Sequence, residues 1–385
     1  MTLKRNSKLF LVLFLGTLSA FGPFVTDLYL PALPTMSSYF NSSTSTIQLT
    51  LTGSMVGLAL GQLLIGPISD KYGRKNPLII SLIVYLISTI AIILFPNVYA
   101  MIVLRFIQGV SSAGAVVISR AISTDLYHGR ELAAFFALLM AVNGLAPILS
   151  PILGSVLLEL TDWRGIFVTL ALIGLILLAV SFKFNESLVV EKRLDLPITK
   201  TYYSIVHVMK NRLFFALVII QGFALAAMFA YIAASPFILQ THYSLSPLMY
   251  SLCFGLNGFA IVLGSKNAGN FKEKVSIKLG LSLMLLVSIY LAVALTLTLP
   301  FLFIEVGFFL LLLGLGFILP AGSAIAMSLE RERAGSASAF FGFVPFFLGG
   351  VVSPLVGIGN IFHSSAIAIV VCSVISLSLI HISEP

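Results

Sequence analysis

Residues 279–299 read "LGLSLMLLVSIYLAVALTLTL", twenty-one positions without a charged side chain. A run of about 20 apolar residues is long enough to cross the hydrocarbon core as a helix, while a membrane β-barrel is written in short segments of alternating polarity. This run does not alternate. It is also one of many, for the 385-residue chain is 59% hydrophobic and only 9% charged, with a mean hydropathy of +1.08. The composition predicts an all-α integral membrane protein.

Proline, glycine, asparagine and clustered charge mark the ends of the runs. They predict twelve spans near 8–30, 46–69, 77–95, 98–122, 132–159, 165–184, 212–237, 247–268, 276–298, 301–328, 335–358 and 362–380. The first run, preceded by Lys4, Arg5 and Lys8, is too long for a signal-peptide core and lacks a small-residue cleavage site, so it counts as a span. The longest polar interruption, 185–211, divides the chain into an N-terminal bundle (1–184), a cytoplasmic linker and a C-terminal bundle (212–385). A short interfacial helix is expected at "YYSIVHVMKNR" (202–212).

Lys and Arg accumulate in cytoplasmic loops. Arg105 falls within a span and Arg164 in the loop after the fifth, and the other 20 of the 22 basic residues sit at the N-terminus or beside alternate loops. Both termini are therefore read as cytoplasmic. The formal charge of +8 is scattered between apolar runs, which excludes the single basic patch of a nucleic-acid binder. Cys253 and Cys372 lie inside apolar runs, so neither a disulfide framework nor a metal site is expected. No HExxH, GxSxG or paired histidine cluster is present, no cofactor is implied, and an enzyme is not expected. A receptor would need a larger soluble segment than the linker.

The halves repeat. "SPILG" at Ser150 and "SPLVG" at Ser353 are 203 residues apart, as are Arg130 and Arg333. At the same offset Gly66, Asp70, Lys71 and Lys75 fall on Gly269, Glu273, Lys274 and Lys278. Two six-helix bundles in parallel repeat are expected.

Charge is concentrated in "GPISDKYGRK" (66–75), which resembles the signature of the major facilitator superfamily between its second and third helices, with Gly66, Asp70, Gly73, Arg74 and Lys75 on the pattern. "LRFIQGVSSAG" (104–114) resembles the fourth-helix signature, placing Arg105, Gln108 and Gly109. "SPILGS" (150–155) resembles the fifth-helix antiporter signature, with Ser150 and Ser155 standing where the pattern has Gly. "DLYLPALP" (27–34) and "YIAASPFIL" (231–239) resemble the bicyclomycin and chloramphenicol resistance (Bcr/CflA) branch of drug:proton antiporters. The resemblance covers nearly the whole chain and implies a multi-pass, monomeric efflux protein of the bacterial inner membrane, with lipophilic drugs, protons and membrane lipids as partners. The serines in the fifth-helix pattern keep a proton-coupled importer of a small metabolite as the alternative. The ending "SLIHISEP" (378–385) departs from the pattern and reads as a truncation or a foreign end.

Each motif has an expected physical role. Gly66 and Gly73 are expected to turn the chain tightly, and Asp70 to face the N-terminus of the eleventh span, near Ala334 to Ser338, as a conformational latch. Pro151 and Gly154 are expected to bend and closely pack the fifth span, sealing the halves against leak. At 1.5 Å per residue, Asp27 lies roughly 28 Å from the cytoplasmic side and Arg105 about 10 Å from the opposite one. Both reach the outer half, where burial favours the neutral acid and a neighbouring Arg favours the ionised one. Asp27 and Arg105 are the expected proton-coupling pair, and at offset 203 they fall on Ala230 and Phe308, confining proton chemistry to the first half. Gln108 and Tyr231 are expected in the substrate cavity. Glu305, near the start of its span, is expected at the interface.

Overall fold

The computed structural model describes residues 7–193, 198–330 and 333–379. Lys4, Arg5, Asp195 and residues 380–385 of the unusual ending lie outside them, as does the side chain of Arg130. The described residues form helices α1 (Lys8–Asp27), α2 (Leu33–Tyr39), α3 (Thr44–Tyr72), α4 (Lys75–Leu94), α5 (Val98–Leu126), α6 (Gly129–Leu160), α7 (Trp163–Lys183), α8 (Ile198–Met209), α9 (Arg212–Pro236), α10 (Pro247–Ala268), α11 (Glu273–Thr296), α12 (Phe301–Leu329), α13 (Ala334–Val352) and α14 (Ile361–Ser378). Among the described residues twelve helical stretches are long and apolar enough to cross a membrane.

Side-chain caps set many of the boundaries. An N-cap oxygen satisfies helix N–H groups that have no partner within the helix. Ser7 starts α1 by accepting from Phe10 N at 3.3 Å, Asn97 starts α5 by accepting from Tyr99 N at 3.0 Å, and Asp162 starts α7 by accepting from Arg164 N at 2.9 Å. Asn211, Ser246 and Asn360 do the same for α9, α10 and α14.

The first span differs from its sequence reading. Pro31 marks a boundary in the sequence, yet a short 3-10 turn at Leu30–Ala32 joins α1 to α2, and the apolar stretch runs from Lys8 to Tyr39. Proline is tolerated in the first turn of a helical segment, where its missing N–H has no partner to lose. Asp27 therefore lies inside this stretch rather than at its edge.

Two compact units emerge: residues 1–29 with 53–201, and residues 30–52 with 202–385. In the first, α1 packs on α5 and α6, and α4 lies against α5 and α7. Glycines at four-residue intervals on α3 meet the α5 backbone: a Cβ at Gly57 would sit 2.2 Å from Phe106 O, and one at Gly109 of α5 2.2 Å from Ser54 O. Small residues of this kind let helices approach without a strong hydrophobic force between them.

In the second unit, α12 packs on α10 and α11, and α14 on α9 and α11. Residues 30–52 are bound into this unit by polar contacts: Ser45 Oγ donates to Pro354 O at 2.9 Å, Gln48 Nε2 to Ala233 O at 2.8 Å, and Thr52 Oγ1 to Gly350 O at 2.8 Å. After Pro236, α9 continues as a wider turn at Phe237–His242, closed by Tyr243 N to Ile238 O at 3.2 Å. Such a five-residue bond is the mark of a π-type turn.

Candidate functional site

The buried polar centre of the first unit is built on α1, α4 and α5. Asp27, the last residue of α1, is 9% exposed, and Arg105 of α5 is fully buried. Arg105 Nη1 donates to the Val25 carbonyl at 3.0 Å and to Gln108 Oε1 at 2.5 Å. Gln108 Nε2 in turn donates to Thr89 Oγ1 of α4 at 2.7 Å. The guanidinium carbon lies 4.2 Å from the centre of the Tyr29 ring, a cation–π arrangement that holds positive charge in a dry setting. The electrostatic reach of Arg105 extends to Asp27, while Asp27 itself forms no ion pair among the described residues.

The structure thus brings Asp27, Arg105 and Gln108 together, and adds Tyr29 and Thr89. Chemically the set holds one group able to exchange a proton, the Asp27 carboxyl, beside one that stays charged. Gln108 links Arg105 to α4 with both ends of its amide. Tyr231 belongs to the second unit, buried against Phe308 with ring centres 4.7 Å apart.

The fifth-helix signature packs against α1 in the same unit. Ser150 Oγ donates to Pro23 O at 3.4 Å. A Cβ at Gly154 would fall 1.9 Å from Leu28 O, so only glycine lets α6 approach the chain just past Asp27. Pro147 and Pro151 both lie within α6. About three helical turns before Gly154, Asn143 Nδ2 donates to Ser19 Oγ at 2.5 Å.

The charged motif at 66–75 closes on itself and on two acids, Asp125 and the linker residue Glu186, that the sequence reading did not pair with it. Arg74 donates to Asp70 and, from Nε, to Asp125 Oδ2 at 2.9 Å; Nη2 reaches Asp125 Oδ1 at 3.2 Å. Burial opposes the charge of Arg74, but hydrogen bonds and attraction from Asp125 and Asp70 outweigh it and hold its pKa above the ordinary value. Glu186, just after α7, accepts from the backbone N–H groups of Arg74 at 2.9 Å and Lys75 at 3.1 Å, and from those of Ser187 and Leu188. Lys75 Nζ donates to Phe182 O at 2.8 Å.

The two motif glycines are not equivalent. Gly73 has φ +89°, a left-handed conformation open to glycine at little cost, and it makes the turn. Gly66 lies inside α3, where an added Cβ would make only ordinary contact with Val117 at 3.6 Å. The expected turn at Gly66 is corrected: α3 continues past it to Tyr72. A second correction concerns Glu305, which is 5% exposed rather than interfacial. The linker helix begins earlier than expected, at Ile198, burying Ile205 and Val208 and exposing Tyr203 and Val206.

Among the described residues there is no group of three or more His, Cys, Asp or Glu that could hold a metal ion.

Comparison with known proteins agrees with this architecture. A family model described as Major Facilitator Superfamily matches residues 9–354. The chain is 36% identical over 362 residues to the "Uncharacterized MFS-type transporter YdgK" of Bacillus subtilis, covering 92% of this chain and 90% of that one. It is 28% identical over 273 residues to the "Bicyclomycin resistance protein homolog" of Haemophilus influenzae, covering 71% and 69%. Among solved structures, a bacterial homolog of the human lysosomal transporter Spinster, in an inward-facing and occupied conformation, superposes with a TM-score of 0.79 at 13% identity over 99% and 97% of the two chains, a likeness of fold. The twelve spans, the three signatures and the family match lead to one assignment: the chain is a multi-pass membrane protein and belongs to the Major Facilitator Superfamily.

Proposed function

We propose that this protein is a proton-coupled antiporter of the bacterial cytoplasmic membrane that expels lipophilic drugs by alternating access, with both termini cytoplasmic. The observation that carries this reading is the buried Asp27 carboxyl, held beside a fixed guanidinium and without an ion pair among the described residues. An ionisable group inside a membrane span is costly, so one that is present marks a functional site by default. A carboxyl that gains a proton from outside and loses it inside couples proton entry to substrate exit. The similarity to a bicyclomycin resistance homolog supports drug export over other cargo.

In this reading Arg105 and Gln108 position the coupling carboxyl, and Tyr231 supplies aromatic surface to substrate. Asp70, Gly73, Arg74 and Lys75 form the conformational latch, with Gly66 within the helix that carries it. Ser150, Pro151 and Gly154 fix the distance between α6 and α1 around Asp27.

The test is proton movement in inside-out vesicles with an acidic lumen. Adding bicyclomycin or another lipophilic drug should release protons from vesicles carrying the native chain and not from those carrying Asp27→Asn. A full response from the variant removes Asp27 from coupling. Silence with every drug, together with uptake of a metabolite in right-side-out vesicles, replaces export with import.

A further inference from the structure

Glu305 sits about one turn inside α12, and the structure surrounds it with neutral groups. Asn257 of α10 donates from Nδ2 to Glu305 Oε1 at 3.0 Å and to the Tyr231 hydroxyl at 3.0 Å. Both hydrogens of the amide are thereby engaged. Acceptors are left over: Asn257 Oδ1 and Glu305 Oε2 are buried with no hydrogen-bond partner. The Cys253 thiol lies alongside, but a thiol is a weak donor and brings no positive charge. No ion pair involves Glu305 among the described residues.

Aromatic rings complete the surroundings. Tyr231 stacks on Phe254 with centres 5.9 Å apart and packs on Phe308 at 4.7 Å. A buried carboxylate and an unused amide oxygen both call for N–H donors, preferably charged ones, and ring faces attract cations. A hard metal ion would need about six oxygen ligands, more than these residues offer. A quaternary ammonium has charge but no N–H. A protonated amine has both.

We propose that Glu305, Asn257 and Tyr231 form a recognition site for the protonated amine of an organic substrate. The proposal names a substrate class for the transporter described above and rests on that reading. Glu305 supplies the charge, Asn257 Oδ1 a second acceptor, and the rings the apolar walls for the carbon skeleton.

The test is calorimetric binding to the purified full-length protein, with no proton gradient, using phenethylamine, its N-trimethyl analogue and the neutral phenethyl alcohol. The native protein should bind the amine at least about tenfold more tightly than either analogue, since a site built around hydrogen bonds rejects ligands that leave its polar groups unpaired. Glu305→Gln keeps the size of the side chain and should weaken amine binding about tenfold or more. Glu305→Asp, which keeps the charge, should bind the amine better than Glu305→Gln does. Thermal unfolding without ligand checks that both variants are folded, and the native protein's ranking of the three ligands stands without either. Equal affinity for all three, no amine binding, or native-like amine binding by Glu305→Gln overturns the proposal. Because nothing is transported in this assay, failure of drug export in vesicles leaves its result unchanged, and the reverse holds too.

Discussion

Arg105 of α5 ties itself to the main chain of α1 at Val25, 3.0 Å from guanidinium to carbonyl, two residues before Asp27. The same nitrogen meets Gln108, so one side chain fixes the helix that carries the carboxyl and the amide that reaches α4. Arg105→Lys should therefore fail to replace it, because an ammonium on a flexible stem lacks the rigid plane that stacks on the Tyr29 ring and holds the donating nitrogen in place between its two acceptors. Each acceptor left unpaired costs about 1–3 kcal/mol. Drug-driven proton release should be lost in vesicles and unfolding of the purified variant should shift to lower temperature; native transport by Arg105→Lys would contradict this placement.

Gly154→Ala should be costly although it adds a single methyl group. Its Cβ would press on the Leu28 carbonyl, and backbone cannot rotate away as a side chain can. The expected penalty is about 1–3 kcal/mol, as for other overpacked sites. Gly66→Ala is the control, since its Cβ would make only ordinary contact with Val117 at 3.6 Å, and it should unfold near the native temperature.

Asp125 and Asp70 both hold Arg74, but Asp125 is largely buried and Asp70 half exposed. Removing the largely buried partner leaves the buried Arg74 with only the half-exposed Asp70 and Ser69, at a cost of up to about 3–5 kcal/mol, while the half-exposed pair is worth at most about 1 kcal/mol. Chemical denaturation should rank Asp125→Ala well below Asp70→Ala in stability. The pH response follows from Arg74, whose folded pKa lies above the ordinary arginine value. Its contribution is complete below that ordinary value and is lost only as pH rises through the higher folded one. Between about pH 6 and about pH 9 the stability difference between native and Arg74→Gln should not change through deprotonation of Arg74.

Glu186→Ala should loosen the connection after α7, since four backbone N–H groups lose one shared acceptor. Hydrogen exchange at Arg74, Lys75, Ser187 and Leu188 should accelerate together, while amides in the middle of α4 keep their native protection.

The sequence makes the spans and signatures legible because apolar length and charged loops are one-dimensional signals. Lateral neighbours are not. Asp125 and Glu186 lie far along the chain from Arg74, and no spacing rule pairs them. Glu305 reads as interfacial from its distance to a loop, yet the burying neighbour, Asn257, stands on another helix. Pro31 signals an end because proline lacks an N–H, but a 3-10 turn accommodates it and carries the first span onward. The Asp27 and Arg105 pairing is legible because an intramembrane charge is rare enough to stand out; Gln108, expected in the substrate cavity beside Tyr231, instead bridges Arg105 to Thr89, and the Tyr29 ring that shelters the guanidinium is one aromatic among many.

At the offset of 203 that aligns the halves, Glu305, Asn257 and Tyr231 fall on Ile102, Ser54 and Leu28, while Asp27 and Arg105 fall on Ala230 and Phe308. The halves share a spacing of motifs, but each carries its own polar centre at positions where the other is apolar or nearly so. The halves are not interchangeable: a chain assembled from two copies of the first would carry two guanidinium centres and no Glu305, and one built from two copies of the second would carry no Asp27.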